Sequence, residues 1–313
     1  MAVQSPDVVV FHSHGVGQYV RVSKFPVPGE TIRALSWDND RDGGKGSNVA
    51  IALAKLGVSS AFFGKVGNDI FGDLGEKWMS ELGVDVSMML RDDKLQTSTG
   101  VVVIDDNGDN LIITKSTGTK FSHEEIDTAL QKFSSSKVFI TGFEIDISAS
   151  LYGARLAHKL GMTTLLNPSP LPDFPLGCLD FIDVLIVNEI EGLKLSDLPD
   201  TSDCISSSQK IVANLADKYS VPCVIMTMGK HGSITYDSGE IWQTDPVNTK
   251  VVDTAGAGDG FLSAIAACKV RGVNMKTACE WANVFSSIAV SRLGTFPSYP
   301  TLEEMNAVMR LHE

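Results

Sequence analysis

Short apolar runs that are rich in β-branched residues recur along the chain and predict buried strands. Their hydrophobicity is continuous rather than alternating, which is typical of strands that are covered on both faces of a parallel sheet. The predicted strands are 8–11, 61–63, 138–141, 164–166, 184–187 and 224–227.

Several segments between these runs carry apolar residues at helical spacing. The face from Val49 to Leu56 is followed by Gly57, a helix stop, and the segments 151–160 and 211–216 show the same spacing. Alternating strands and helices predict right-handed crossovers, and therefore an α/β fold with a doubly wound, mostly parallel sheet. Ligands of such sheets bind at the carboxyl ends of the strands.

Residues 18–42 and 97–115 break this alternation. In the second segment, Gly100–Ile104 and Leu111–Thr114 flank an Asn107-Gly108 turn, which predicts a hairpin. Strands outside the main sheet predict a small β-sheet lid over the strand ends, which could also be the contact face of a homodimer. We therefore expect one domain over residues 1–313, with these two segments as its lid.

Composition narrows the class of protein. The formal net charge of −12 argues against a nucleic-acid partner, which needs clustered Lys and Arg. The 5 cysteines form no C-x-x-C pair, and their odd number argues against a disulfide framework. No signal sequence and no apolar run of membrane-spanning length is present, so we expect a cytoplasmic protein without a membrane partner.

The segment Val251–Leu262 carries the most chemical information. A turn of small residues, Ala255–Gly258, precedes a predicted helix, whose unpaired N–H groups and dipole favour an anion. Asp259 would repel a phosphate, but it could accept the proton of a hydroxyl that attacks a phosphoryl group. A kinase site and a plain capped helix are both consistent with this segment. The spacing excludes the dinucleotide fingerprint, because position 261 is Phe.

Other motifs leave alternatives open. Gly43–Asn48 precedes a predicted helix and is either a hinge turn with Ser47 or Asn48 as N-cap, or a substrate clamp. Asn188–Glu191 follows a predicted strand and is either a capped helix start or a magnesium–phosphate site that acts through metal-bound water. Thr227–Gly232 is typical of a glycine turn beside a nucleotide.

The order and spacing of these motifs resemble the ribokinase-like (pfkB) family of carbohydrate kinases over nearly the whole chain. The Asp253–Asp259 segment is the most specific of them. The others are Pro28–Thr31, Gly43–Gly46 with Asn48, Asn167-Pro168, Asn188–Glu191 and Thr227 with Gly229. The resemblance implies a kinase that uses ATP and Mg²⁺ to phosphorylate a primary hydroxyl of a sugar or a sugar-containing small molecule.

The same resemblance implies roles for individual residues. Asp259 is the base, and the N–H groups of Gly256, Ala257 and Gly258 form an anion hole. The acceptor substrate is bound by Gly44, Lys45, Asn48, Glu144 and Asp259. The nucleotide is bound by Asn188, Thr227, Gly229, Gly232 and Asn283, and Glu191 acts on Mg²⁺ through water. A K⁺ site is implied for Asp253, Ala255, Ala289, Arg292, Gly294 and Ser298.

The chain departs from this family at the first strand. Ribokinases have an Asn and an Asp at the positions that are Gly15 and Gly17 here. A bound ribose would lose a carboxylate partner, and the glycines would open space, so we expect a bulkier or differently hydroxylated acceptor. His14 or Gln18 are candidates for the missing contacts, or are simply loop residues. A nucleoside kinase and a non-catalytic ligand sensor are the alternative functions.

Overall fold

The computed structural model describes residues 5–106, 110–115, 118–199 and 204–309. Its strands are β1 (Val8–Phe11), β2 (Gly15–Arg21), β3 (Ser36–Asp42), β4 (Ser60–Gly67), β5 (Asp85–Asp92), β6 (Ser98–Ile104), β7 (Asn110–Lys115), β8 (Val138–Gly142), β9 (Thr163–Asn167), β10 (Val184–Asn188), β11 (Cys223–Thr227), β12 (Ser233–Asp237) and β13 (Glu240–Thr244). Its α-helices are α1 (Gly44–Lys55), α2 (Ile70–Glu81), α3 (His123–Lys132), α4 (Ile147–Lys159), α5 (Glu189–Ser196), α6 (Cys204–Tyr219), α7 (Ala257–Val270), α8 (Met275–Val290) and α9 (Leu302–Met309). Every predicted strand lies within an observed one.

The main sheet contains nine of these strands, in the order β13-β12-β11-β10-β9-β8-β1-β4-β5. All neighbours from β11 to β5 are parallel, whereas β12 and β13 add an antiparallel edge. The prediction of a doubly wound, mostly parallel sheet is confirmed. None of the helices within the described ranges combines the length and the apolar character needed to cross a membrane.

Strand β1 explains why the apolar runs are continuous. Val8 and Val10 pack into a core with α1, α7 and α8, whereas Val9 and Phe11 pack into a second core with α3, α4 and α6. All four side chains are fully buried. Successive strand residues point to opposite faces of the sheet. Where helices cover both faces, every side chain of the strand is buried, which favours an apolar residue at each position. Burying each such side chain contributes roughly 1.5–3 kcal/mol.

The two irregular segments form a separate four-stranded sheet in the order β3-β2-β6-β7. Strands β6 and β7 pair antiparallel, as the predicted hairpin requires, and β2 pairs parallel with β6. The predicted Asn107-Gly108 turn lies outside the described residues. We call this small sheet the lid sheet.

Helix α1 begins earlier than the apolar pattern predicts. Its N-cap is Gly43, and Ser47 and Asn48 are buried inside the helix, so the interpretation of either as N-cap is wrong. The helix can start here because Gly44 has a left-handed backbone (φ 71°) close to the N–H of Gly15. Lys45 and Asn48 consequently project from the first turns of a helix.

Candidate active site

The turn before α7 is held in one conformation. Gly256 is its N-cap with φ 71°, and the Tyr299 hydroxyl donates a hydrogen bond to the Gly256 carbonyl (2.9 Å). A Cβ at position 256 would lie 2.5 Å from that hydroxyl oxygen. Helix α7 is buried from Asp259 to Cys268, which anchors the turn in the core.

Helices α1 and α7 meet at Asp259. The ammonium group of Lys45 lies 3.4 Å from Oδ1 of Asp259, and the Asn48 side-chain amide donates to Oδ2 at 3.0 Å. The Asp259 side chain is 9% exposed and that of Lys45 is 30% exposed. Both oxygens of a nearly buried carboxylate therefore have a polar partner from the first turns of α1.

Burial dominates the acidity of Asp259. It raises the pKa of this carboxyl, and the negative charges of Glu144 and Asp42 add to the rise, whereas Lys45 and the Asn48 hydrogen bond oppose it. A carboxylate with a raised pKa is a stronger proton acceptor than an ordinary aspartate. The charge of Asp259 in turn raises the pKa of Lys45 despite the burial of its ammonium group, so Lys45 stays protonated.

Glu144 lies beyond the carboxyl end of β8, next to Lys45. Its Oε2 accepts hydrogen bonds from the Lys45 backbone N–H (3.3 Å) and from the Ser13 hydroxyl. Burial lowers the pKa of the adjacent His12 to about 3, so this imidazole is neutral at physiological pH. The positive charge that faces Asp259 is therefore supplied by Lys45.

A cavity of about 550 Å³ lies between the lid sheet and the carboxyl ends of β1 and β8. We call it the acceptor cavity. The lid sheet contributes apolar wall residues, among them Tyr19, Val102 and Ile104. The predicted substrate residues all line it: Gly15, Gly17, Gly44, Lys45, Asn48, Glu144 and Asp259.

The two lid glycines do not simply open space. A Cβ at Gly17 would lie 2.5 Å from Oδ2 of Asp42, so the Asp42 carboxylate already occupies that position. A Cβ at Gly15 would lie 3.1 Å from the carbonyl oxygen of Ser98. The expectation of empty space at both glycines is wrong, because neighbouring lid strands fill it.

The side chains of both candidates for the missing contact, His14 and Gln18, already have hydrogen-bond partners within the protein, and of the two only His14 lines the acceptor cavity. His14 is buried, with Nδ1 at 2.7 Å from the Ser47 hydroxyl and Nε2 at 2.9 Å from the Phe71 carbonyl. Burial also lowers the pKa of His14 to about 4, so the ring is neutral. Since a carbonyl can only accept, Nε2 donates to Phe71 and Nδ1 accepts from the Ser47 hydroxyl. Gln18 accepts a hydrogen bond from the Trp37 indole (2.9 Å).

A second cavity of about 390 Å³ lies on the other side of the α7 turn. We call it the donor cavity. The predicted nucleotide residues Thr227, Gly229, Gly232 and Asn283 line it, as do Ala257 and Gly258. Gly256 and Asp259 line the acceptor cavity, and Thr254 lines both. The glycine turn thus lies between the two cavities.

Asn188 and Glu191 form a capped helix start. Asn188 Oδ1 accepts from the Glu191 N–H (2.8 Å), and Glu191 Oε2 accepts from the Asn188 N–H (3.0 Å). Neither residue belongs to the lining of the two cavities. The charge of Glu191 nevertheless contributes to the raised pKa of Lys45, which places it within electrostatic reach of the site.

Asp253 joins two loops beside the acceptor cavity. Its Oδ1 accepts from the Ala255 N–H and its Oδ2 from the Gly294 N–H, each at 3.0 Å. In the same region Arg292 donates to the Ser298 carbonyl (3.3 Å), and Ala289 is buried near the end of α8. The structure brings Asp253, Ala255 and Gly294 together, and the remaining predicted cation residues flank Gly294 in sequence: Ala289 and Arg292 precede it and Ser298 follows it.

The sequence interpretation missed several site residues. The Thr295 hydroxyl lies 2.9 Å from Oδ1 of Asn48 and 3.2 Å from Oδ1 of Asp42, and its single proton is shared between these two acceptors. Ser13 and Tyr299 contact Glu144 and the α7 turn, as described above. For Asp42, the signal that could have indicated a site residue is its position directly before the Gly43-Gly44 pair.

The chain is similar to known proteins that are named ribokinase or deoxyribokinase. Residues 16–302 match the pfkB family carbohydrate kinase profile. A ribokinase of Staphylococcus aureus is 27% identical over 303 residues, which cover 96% of this chain and 99% of that protein. A deoxyribokinase of Salmonella typhi is 28% identical over 310 residues, which cover 98% and 100%. The structure of Arabidopsis thaliana ribokinase complexed with ribose and ATP gives a TM-score of 0.87 at 28% identity and covers 98% of this chain and 99% of that one.

The main sheet, the separate lid sheet and the similarity to this ribokinase structure define a kinase of the ribokinase fold. The chain belongs to the pfkB family of carbohydrate kinases and is an ATP-dependent enzyme of that family.

Proposed function

We propose that the protein transfers the γ-phosphoryl group of ATP to a primary hydroxyl of a sugar, or of a sugar-containing small molecule, bound in the acceptor cavity. The carrying observation is the position of the α7 turn. Ala257 and Gly258 face the donor cavity, and Asp259 faces the acceptor cavity across a single helical turn. A nucleotide phosphate and an acceptor hydroxyl would therefore meet at this turn.

In this proposal Asp259 accepts the proton of the acceptor hydroxyl. The acceptor oxygen forms a bond to the γ-phosphorus, the bond from that phosphorus to the bridging oxygen of ADP breaks, and ADP leaves. The raised pKa of Asp259 makes it a better base, and Lys45 and Asn48 orient its two oxygens. The N–H groups of Gly256, Ala257 and Gly258, at the positive end of the α7 dipole, stabilise the charge of the transferring group.

The test is Asp259→Asn, which keeps the size of the side chain and removes the base. We expect ADP release with an acceptor to fall by roughly 10²–10⁴-fold, while ATP binding is retained. Glu303→Gln is the matched control, because Glu303 is an exposed acid in the first turn of α9. Near-wild-type turnover of the Asp259→Asn enzyme would refute the assignment.

The acceptor panel should contain pentoses, hexoses and nucleosides. The names of the relatives make D-ribose and 2-deoxy-D-ribose the first acceptors to try. The apolar lid wall of Tyr19, Val102 and Ile104 gives a specific reason to include nucleosides, because it could cover a flat base. Stabilisation by a ligand without any turnover would instead favour the non-catalytic sensor.

We also propose that Mg²⁺ accompanies the nucleotide, with Glu191 acting on it through water and Asn188 close to the phosphates. When bound, Mg²⁺ would neutralise phosphate charge in the transferring group. The support is electrostatic, since the charge of Glu191 reaches Lys45. A carboxylate that is used in a capping box still has lone pairs for a metal-bound water.

We propose a K⁺ site at Asp253, Ala255, Ala289, Arg292, Gly294 and Ser298. These residues offer one carboxylate, one hydroxyl and backbone carbonyls, an all-oxygen donor set that suits a hard cation. Asp253 already joins the two loops through hydrogen bonds to Ala255 and Gly294. A cation there would rigidify the segment that carries Tyr299, the hydroxyl partner of the α7 turn.

We also propose that the lid sheet and the main sheet form one catalytic domain, because the acceptor cavity is lined by residues of both.

We finally propose that the outer face of the lid sheet is a homodimer interface. Trp37, Leu111 and Ile113 lie on that face and are 62%, 45% and 64% exposed. Their register partners, Val20 for Trp37, Val103 for Leu111 and Val101 for Ile113, alternate along their strands with the cavity-lining residues Tyr19 and Val102, so this face is opposite the cavity. Large apolar side chains at this exposure are typical of a protein interface.

A further inference from the structure

Gly17 of β2 and Asp42 of β3 are register partners in the lid sheet and share its cavity-facing side. A Cβ on Gly17 would lie 2.5 Å from Oδ2, 2.7 Å from Cβ and 3.0 Å from Cγ of Asp42. The first two separations are shorter than real Cβ contacts allow, and the third is at the limit. Glycine at position 17 is therefore what permits the Asp42 carboxylate to lie over the strand and border the acceptor cavity.

The Asp42 carboxylate is held in one orientation. Its Oδ1 accepts hydrogen bonds from the Gly44 N–H (3.2 Å) and the Asn48 amide (3.0 Å), and it lies 3.2 Å from the Thr295 hydroxyl, whose proton it shares with Oδ1 of Asn48. All three donors contact the same oxygen, which leaves Oδ2 on the side of Gly17. Because this carboxylate is already oriented, little conformational entropy is lost when it accepts a hydrogen bond from a bound substrate.

The same Asn48 amide nitrogen donates to Asp259 Oδ2 at 3.0 Å. Asp42 and Asp259 therefore flank one amide group, with both carboxylates on the wall of the acceptor cavity. A polyhydroxy substrate whose reacting hydroxyl meets Asp259 would present another hydroxyl toward Asp42.

We propose that Asp42 determines acceptor specificity by accepting a hydrogen bond from a non-reacting hydroxyl of the substrate. This inference rests on the proposed function, because it requires a hydroxylated acceptor in this cavity. Asp42 reaches the cavity from β3, across the glycine of β2. A hydroxyl that donates to Oδ2 of Asp42 would discriminate against an analogue that lacks it, since the bound analogue would desolvate this oxygen without replacing its hydrogen bond.

The test is a double-mutant cycle between Asp42 and the substrate. The best acceptor of the panel is compared with its single-deoxy analogues, beginning with D-ribose and 2-deoxy-D-ribose. In the wild type, loss of the contacted hydroxyl should lower kcat/KM by on the order of 10- to 100-fold. In Asp42→Asn, kcat/KM for the parent should fall by a similar factor, but deleting that hydroxyl should cost little more, and the KM for ATP should stay unchanged.

A purely structural role for Asp42, acting through Asn48, predicts a different result. It would lower kcat with all acceptors equally and leave the discrimination between parent and deoxy analogue intact, which would overturn the proposal. Asp38→Asn is the matched control, because Asp38 lies on the same strand and is not part of the cavity lining. Its discrimination should equal that of the wild type.

A relocation variant keeps the proposal testable if Asp42→Asn folds poorly. Gly17→Asp combined with Asp42→Gly delivers a carboxylate to the same space from β2 instead of β3. We expect it to recover the discrimination that Asp42→Gly alone loses, whereas Gly17→Asp alone should impair acceptor binding because two carboxylates compete for one position. Absence of any recovery in a folded relocation variant would contradict the proposal.

Binding separates this proposal from the proposed function. If no acceptor is phosphorylated, the proposed function fails. Thermal stabilisation by the same sugars then tests whether Asp42 binds a substrate hydroxyl. Stabilisation that is lost in Asp42→Asn and kept in Asp38→Asn supports the inference. Equal stabilisation of both variants overturns it, and absence of stabilisation by every sugar overturns both proposals.

Discussion

Lys45 and Asp259 form an ion pair across 214 positions of the chain, with 3.4 Å between Nζ and Oδ1. Each residue lies in the first turn of its helix, Lys45 in α1 and Asp259 in α7. The N-terminal dipoles of both helices favour the negative charge of Asp259 and so counteract part of its burial. The proposed base is thus kept usable by one cation, one amide and two helix ends.

Lys45→Gln should move the acidic limb of the kcat–pH profile to higher pH. Lys45 lowers the pKa of Asp259, whose net shift is upward, so removing the cation raises that pKa further. A base acts only when it is deprotonated. The midpoint of the acidic limb should therefore lie about one pH unit or more higher than in the wild type. An ADP-release assay between about pH 5 and pH 9 measures this.

The control is Lys77→Gln, because Lys77 is an exposed lysine whose carboxylate partner, Glu81, lies on the same helix. Its acidic limb should coincide with that of the wild type. An unshifted limb in Lys45→Gln would show that Asp259 does not control the profile.

Gly256→Ala should destabilise the protein. Position 256 has φ 71°, and the new Cβ would lie 2.5 Å from the buried Tyr299 hydroxyl oxygen. Left-handed strain alone costs roughly 1–3 kcal/mol, so thermal unfolding should shift down by several degrees. Gly258→Ala is the stability control: apart from its chain neighbours and the nearby backbone of α7, no atom of the described residues lies within 4 Å of its Cβ position, and it should melt no lower than the wild type. Equal melting of the two variants would contradict the account of the turn.

Potassium should accelerate turnover relative to a large organic cation. We expect a higher kcat in K⁺ than in tetramethylammonium at equal ionic strength, because a bound cation would order the loops joined by Asp253. Asp253→Asn should abolish the difference, whereas Glu189→Gln, an exposed acid at the start of α5, should keep it. Identical wild-type rates in the two salts would exclude the site.

Ile113→Glu should convert a dimer into a monomer. Light scattering coupled to gel filtration measures the mass of both proteins. Val27→Glu is the matched control, since Val27 has the same 64% exposure as Ile113 but lies outside the lid strands. A monomeric wild type, or a dimeric Ile113→Glu variant, would refute the interface.

The strands of the main sheet were predictable because burial on both faces leaves a local mark. The run Val8–Phe11 is apolar at every position, and its observed bounds match the prediction. The start of α1 was not predictable from periodicity. Ser47 and Asn48 are polar residues inside a buried helix, where they hydrogen-bond to His14 and Asp259 rather than cap the helix.

The sequence by itself determined the fold class, because strand–helix periodicity is a local property of the chain. It also indicated the kind of reaction, through the order and spacing of the motifs from Gly43–Asn48 to Asp253–Asp259 rather than through any one of them. The tertiary structure decided how distant residues complete the site. It placed the α7 turn between two cavities, and it brought Asp42 into the space above Gly17, from the neighbouring strand of the lid sheet. The physical reason is that hydrophobic periodicity reports burial and element type, whereas a contact between strands depends on register and on the exclusion of one side chain by another.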